Sequence, residues 1–524
     1  TLLVALLALP WLWPIAYGPT SGVLPQLVSL ACGALFLLVI LARPVSLNSI
    51  LAQALLVAAL TSSVIGLLQY AGVSAALSPW ISVTSPGYAF GNLRQRNQLA
   101  SLINIGLVVL VWSAWSQQRR AGMLAQSAAA PRATINKLYA DLLRQWPLWC
   151  AVVLFTSANA ATASRTGLLQ LLALPVLAIL WRRHGAAGVW PILGGAVLAY
   201  AGASVLLPLL AGLDPLANGI VARFGEGGQS CESRLILWSN VLHLIAQKPW
   251  WGWGWGELDY AHFITLYPDA RFCDILDNAH NLPLHLAVVL GVPLAVAACS
   301  CVAWLVWRAR PWRETSADRR MAWAVLALLA LHSLLEYPLW YGPFQLTALL
   351  CLVVLWRTPQ MPRGGAVLDS ALPTTGLRSP AGFMPLRNAL MGLAVVVLVG
   401  AATAAWDYWR VSQIYMQPER RAPAYRIDTL KKIQDSWLYR RQVNFAAVTT
   451  TAVDADNAAS INRMAKELLH FSPEPRVIEK VIGSARLLHD DEEVVFFEER
   501  YRAAFAKEFA RWRAAQDAGP LLAP

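Results

Sequence analysis

Asp277-Asn278-Ala279-His280-Asn281 forms the polar end of a long loop and runs straight into an apolar segment, residues 283–307, long enough to cross a hydrocarbon core. A histidine flanked by amides and a carboxylate at such a boundary is placed to handle protons, because an imidazole ordinarily titrates near neutrality. Read alone, the pentapeptide favours a plainer account, a cap on the helix that follows. The rest of the chain reverses that preference.

Outward from this junction the composition is that of a membrane protein. With 57% hydrophobic and 14% charged residues and a mean hydropathy of +0.47, the 524 residues are too apolar for an ordinary soluble chain. Apolar runs able to cross a core of about 30 Å fall near 1–17, 23–42, 50–70, 97–115, 147–163, 166–181, 188–211, 283–307, 321–337, 343–356 and 388–406. The prediction is all-α, a polytopic membrane helical bundle of about eleven transmembrane helices. Many of the 24 tryptophans, among them Trp112, Trp181, Trp304 and Trp356, sit at the ends of these runs and read as headgroup-layer anchors. The chain opens without Met inside an apolar run. Leu2 to Tyr17 reads as a first span, since no basic region or small-residue cleavage site precedes Gly22.

The net charge of +12 is spread between hydrophobic segments rather than gathered on one face, which argues for topology and against nucleic acid. Connecting segments alternate in basic content. Those around Arg43, Arg119 to Arg144, Arg182 and Arg183, Arg308 to Arg320 and Arg357 to Arg387 are rich, and those around 71–96, 212–282 and 338–342 are poor. The positive-inside rule then places the first set in the cytoplasm and the second outside. His280, Cys231 and Cys273 fall on the exported side. In an oxidising compartment the two cysteines are expected to pair in front of His280, two free thiols being the alternative. Cys32, Cys150, Cys299, Cys301 and Cys351 lie in apolar spans and are expected free.

The expected organisation is a transmembrane domain over 1–406, with the loop 212–282 carrying the site, and an exported helical module over 407–524. Helix-like runs in the module fall near 425–450, 454–470, 475–488 and 490–514, and resemble helical-repeat pairs, although no period is visible. Val494, Phe497, Tyr501, Ala504 and Phe505 recur at helical spacing and should be buried. The Pro-, Gly- and Ser-rich stretch 357–387 reads as a cytoplasmic loop.

The exported loops hold most of the unusual polar residues. Gly91-Asn92-Leu93-Arg94-Gln95-Arg96-Asn97-Gln98 carries more cations and amides than capping needs; it either orients a sugar or phosphate or is fixed to lipid phosphates. Arg165, in Ala163-Ser164-Arg165-Thr166-Gly167, breaks an apolar stretch, so an anionic partner is expected. Arg234 is a weaker case, since an arginine on an amphipathic loop helix is usually solvated. Lys248-Pro249-Trp250-Trp251-Gly252-Trp253-Gly254-Trp255-Gly256-Glu257 sets aromatic plates between glycines, suited to sugar rings or polyprenyl chains and equally to an interfacial belt. His332 and Glu336, four apart, are expected on one helical face, with Tyr337 at the outer mouth. Asp454 and Asp456 read as helix caps. No zinc-type Cys/His spacing, P-loop or Gly-x-Ser-x-Gly elbow occurs, so a metal hydrolase, a P-loop ATPase or an α/β-hydrolase is not expected, nor any metal or cofactor.

In order and topology these stretches resemble the O-antigen ligase and polymerase superfamily, and within it the bacterial O-oligosaccharyltransferases that glycosylate pilins and other proteins. The likeness covers nearly the whole chain. It rests on Gly91 to Ala100, Ser164-Arg165-Thr166-Gly167, Ser233-Arg234 with the Gly-Trp run, Asn278-Ala279-His280-Asn281-Leu282 followed by Gly291, and His332-Ser333-Leu334-Leu335-Glu336-Tyr337-Pro338-Leu339.

The resemblance implies an oligosaccharide donor on undecaprenyl pyrophosphate in the inner membrane of a Gram-negative bacterium. The site and the C-terminal module would face the periplasm, and the acceptor would be a Ser or Thr hydroxyl of a pilin or other periplasmic protein. It further implies Arg165 and Arg234 on the pyrophosphate, His280 as base for an inverting displacement without metal, and Gln95 or Gln98 with Tyr337 orienting substrate. Arg94, Arg96 and Glu336 would stand beside them. The large exported tail favours a protein acceptor over ligation to lipid A core or polymerisation of repeat units. A lipid-linked glycan transporter is the reading from another class, with His332, Glu336 and Arg165 as its path.

Overall fold

The computed structural model describes residues 1–43, 45–127, 145–181, 189–216, 218–225, 231–358 and 384–517. The expected cytoplasmic loop lies largely outside the described residues, as do Arg132, Lys137, Arg144, Arg182, Arg183, Arg363 and Arg378 of the topology argument. All regular secondary structure among the described residues is helical, without a strand.

In chain order the helices are α1 (Leu2–Leu12), α2 (Val23–Ala42), α3 (Leu47–Tyr70), α4 (Arg96–Ser127), α5 (Trp146–Ala161), α6 (Arg165–Leu180), α7 (Val189–Leu210) and the short α8 (Ile220–Gly225). Next come α9 (Arg234–Gln247), α10 (Leu258–Ile264), α11 (Leu282–Leu290), α12 (Val292–Ala309), α13 (Ala317–Ser333), α14 (Gly342–Arg357) and α15 (Met384–Ser412). The C-terminal helices are α16 (Thr429–Ile433), α17 (Arg440–Thr450), α18 (Ala458–Leu469), α19 (Pro475–Leu487), α20 (Asp491–Ala504) and α21 (Ala506–Asp517).

The fold is a multi-pass helical membrane protein. Among the described residues, Val23–Ala42, Leu47–Tyr70, Val189–Leu210, Val292–Arg313 and Met384–Tyr415 are each long and apolar enough to cross a bilayer. Leu2–Leu12, Trp146–Ala161, Arg165–Leu180 and Gly342–Arg357 are apolar but shorter. The run expected over 283–307 is broken: α11 ends at Leu290, Gly291 takes φ 87°, and α12 begins at Val292.

The chain divides into two compact units. The first, residues 1–16, 21–225 and 305–403, is built on α1, α3, α4 and α13, with α5 packed on α7. Leu51, Leu55, Leu99, Leu102, Ile103, Phe155 and Phe344 are almost fully buried in its core.

The second unit, residues 17–20, 226–304 and 404–524, groups the long loop with the C-terminal helices and has two apolar cores. One joins α9 to α11 through Leu237, Val241, Leu244, Val288 and Val289. The other packs Val477, Ile478, Val481 and Ile482 of α19 against Phe497 and Tyr501 of α20, and Phe263 of α10 enters it. The spacing of Val494, Phe497, Tyr501, Ala504 and Phe505 thus faces a core, although the run over 490–514 is two helices with a break at Phe505 (φ −138°, ψ 60°).

Candidate active site

In the first unit the polar stretch after α3 is anchored by a buried glutamine. Gln69 donates to the carbonyls of Ser82 (2.8 Å) and Gly91 (3.0 Å) and accepts from the amides of Phe90 (3.1 Å) and Gly91 (2.7 Å). Asn92 extends this frame, donating to Leu12 O and Trp80 O. Arg94 takes φ 61° and spends its guanidinium on Pro14 O (2.7 Å), Ala16 O (3.2 Å) and Ser82 Oγ (3.2 Å). Arg96 lies over the ring of Tyr88, 4.2 Å from its centroid.

This frame sets the wall of a pocket of about 340 Å³ lined by Trp13, Gln26, Arg94, Gln95, Gln98, Tyr337, Trp340 and Tyr341. Tyr337 stacks on Tyr341, centroids 5.9 Å apart. Gln98 is 1% exposed, and neither its amide nitrogen nor its oxygen has a hydrogen-bond partner among the described residues; Trp13 Nε1 is likewise buried and unpartnered. Buried polar atoms facing aromatic rings suit a polar ligand with an apolar face, such as a sugar ring.

Behind the pocket, Glu336 is buried and accepts from Asn97 Nδ2 (2.9 Å) and Gln95 Nε2 (3.4 Å). α13 ends at Ser333, and Glu336 lies just beyond it with its amide donating to His332 O (2.8 Å). His332 Nδ1 bonds Ser101 Oγ at 2.8 Å and opens a deeper chain, from Ser101 to Gln170 (3.0 Å) and from Asn104 to Gly167 O (2.9 Å). Ser164 donates to Asn97 Oδ1 (2.6 Å) and caps α6 by accepting from Gly167 N (2.9 Å). Arg165, the first residue of that helix, is exposed and has no acidic partner among the described residues.

In the second unit, α9 begins in the same way: Ser233 accepts from Leu235 N (3.3 Å), and Arg234 is the first helical residue. Each of these arginines therefore adds its charge to the positive end of a helix, an arrangement suited to anions. One turn further along α9, Trp238 Nε1 donates to Ala279 O (3.1 Å), so the helix that presents Arg234 also fixes the residue before His280.

His280 is partly exposed and takes φ 50°. That left-handed turn is held by Asn278, whose Oδ1 accepts from His280 N (3.0 Å), and by Asn281, whose Oδ1 accepts from Leu284 N (3.0 Å) to cap α11. The side chain of Asn278 is buried, and its Nδ2 has no hydrogen-bond partner among the described residues. Cys231 and Cys273 are joined by a disulfide, with Cα atoms 5.5 Å apart. Asn281 is thus the cap, as the plainer account of the pentapeptide expects, and His280 is the residue just before it.

Gly252 of the Gly-Trp run serves backbone packing, whereas a Cβ on Gly254 would meet the Glu257 side chain and one on Gly256 nothing. Trp253 N donates to Val288 O (2.8 Å), Gly254 N to Val289 O (3.0 Å) and Val292 N to Pro249 O (2.8 Å), so the run lies across the break between α11 and α12. A Cβ on Gly291 would collide with the carbonyl of Trp250, and one on Gly252 with the backbone at Val289. Trp250, Trp251 and Trp255 remain 72%, 89% and 62% exposed. Glu257, at the end of the run, pairs with His470 Nδ1 (2.6 Å), whose ring stacks on Tyr260. Burial pushes the Asp259 carboxyl up to about 7, and the neighbouring charges of Asp277 and Glu257 add to this.

Sequence reasoning did not single out Gln69, Trp238 or His470. A buried glutamine on an apolar helix was the available signal for the first; the other two depend on tertiary contacts.

Three segments match protein-family models. Residues 89–112 match protein glycosylation ligase, residues 150–299 match O-antigen ligase, and residues 320–518 match the C-terminal part of virulence factor membrane-bound polymerase. A protein of Acinetobacter baylyi named general O-oligosaccharyltransferase is 30% identical over 130 residues, spanning 25% of this chain and 22% of that protein. No solved structure matches. The chain is thus similar, segment by segment, to membrane ligases and polymerases of glycans, and the resemblance read from its motifs stands.

Proposed function

We propose that the protein is a membrane glycosyltransferase that moves an oligosaccharide en bloc from undecaprenyl pyrophosphate to a Ser or Thr hydroxyl of a periplasmic or pilin protein. The observation that carries this reading is where the site residues fall. Arg94 to Gln98 lie in the segment similar to protein glycosylation ligase, Arg165, Arg234 and His280 in that similar to O-antigen ligase, and Glu336 and Tyr337 in that similar to the membrane-bound polymerase.

The chemistry follows from the residue types. Pyrophosphate is a good leaving group, so the enzyme has to stabilise its growing charge and activate the acceptor. Arg165 and Arg234, each at the positive end of a helix, serve as phosphate-binding cations whose bonds strengthen as the leaving group departs. His280 takes the proton of the attacking hydroxyl, and a single displacement inverts the anomeric centre. Gln98, Gln95 and Tyr337 orient a sugar, and Glu336 holds Gln95 in place. The site and the C-terminal helices face the periplasm from the inner membrane.

The similarity to O-antigen ligase and to a membrane-bound polymerase supports a second reading with the same donor, in which the acceptor is lipid A core or another repeat unit. The test incubates purified protein and lipid-linked oligosaccharide with a pilin-type acceptor, and separately with lipid A core, and reads the intact mass of each. One glycan mass on the protein acceptor supports the first reading. Growth of the lipid A core or of the lipid-linked glycan alone replaces it with the second.

A further inference from the structure

We infer that residues 418–441 form a collar that binds anionic phospholipid headgroups at the membrane surface from which α15 emerges. The stretch directly follows the apolar α15 and passes through two short 3-10 turns, Pro418–Arg420 and Pro423–Tyr425, into α16 and α17. Thr429, Ile433, Ser436, Tyr439 and Val443, three or four apart, are buried and form its inner face. Just before them Ile427 is 73% exposed, and between Ser436 and Tyr439 lie Trp437, 76% exposed, and Leu438, 40%.

The last turns of α15 fix the level of this exposed face. Tyr439 Oη donates to Ala404 O (3.2 Å), Ser436 Oγ to Asp407 Oδ2 (2.6 Å) and Arg410 to Lys432 O (2.9 Å). Arg410 also pairs with Asp435. Trp437 and Leu438 are therefore tied beside the end of a membrane-spanning helix, level with Trp406, which is exposed and stacks on Trp409 at 5.1 Å. Aromatic rings at such a level favour the headgroup layer.

Charge names the partner. Residues 418–441 contain seven basic residues against three acidic ones. Lys431, Arg440 and Arg441 are exposed with no acidic partner among the described residues, whereas Asp435 is occupied by Arg410. Exposed apolar side chains beside uncompensated cations at the end of a span are the two attractions that hold an interfacial segment on an anionic bilayer. This inference does not depend on the transfer reaction.

The test is hydrogen exchange of the full-length protein in nanodiscs of phosphatidylcholine alone and of phosphatidylcholine mixed with phosphatidylglycerol. Amides of 427–441 should exchange several-fold more slowly in the mixed lipid, and high salt should erase the difference. The triple variant Lys431→Gln, Arg440→Gln, Arg441→Gln should lose the lipid effect, while protection of 475–487 reports an intact fold. Equal exchange of 427–441 in the two lipids would overturn the inference. So would equal exchange that slows only when an acidic acceptor protein is added, which would make the surface a protein-docking site.

Discussion

Around Glu336, polar groups are held by side chains brought together from distant parts of the chain: Asn97 and Gln95 reach it across 239 and 241 positions. Around His280 local contacts predominate, joined by Trp238, which reaches Ala279 O from α9. Asn278 fixes its amide from two residues away, Asn281 caps the next helix, and the disulfide closes a stretch of 42 residues. In the first region each side chain is part of the scaffold, so removing one leaves a buried group unpaired. In the second, the contacts that hold the turn run to backbone amides and carbonyls. Damage near Glu336 should therefore appear first as lost stability, and damage at His280 as lost chemistry.

The sharpest way to break this contrast is the disulfide. Cys231→Ser should cost about 2–4 kcal/mol, the usual worth of a native bridge, read as a lower Tm of the second unit's transition in tryptophan-monitored unfolding. An unchanged Tm would mean that the loop owes its shape to something else. Glu336→Ala should cost about 1–3 kcal/mol by orphaning the Asn97 and Gln95 donors, and Glu336→Gln less, since it keeps an acceptor. Asn281→Ala should cost about 1 kcal/mol for the lost cap and lower transfer only through the posture of His280.

The second unit should also show a pH dependence. Asp259 holds its proton more tightly folded, near pH 7, than unfolded, near 4. The folded state then binds more protons between those values, and stability falls as pH rises from about 4 to about 7. Asp259→Asn should flatten that part of the Tm profile and raise Tm at neutral pH. A parallel profile would remove the assignment.

The same contrast explains what could be read in advance. Apolar runs and tryptophan placement made the helical membrane class legible, because burial in lipid acts on every residue of a span. The cap at Asn281 was legible because its contact is local. The partners of Glu336 were not, since hydropathy does not show that α13 stops at Ser333 and turns the carboxylate toward Asn97. Gly252 and Gly291 let two backbones approach closely, a pairing that only the crossing of the two segments reveals.

The most direct test of the central claim is the single-turnover rate of glycan transfer by purified His280→Ala beside wild type, with melting temperatures measured on the same samples. A general base contributes about 10²- to 10⁴-fold, so the rate should fall by that factor at an unchanged Tm. Near-wild-type turnover by the folded variant would contradict the account.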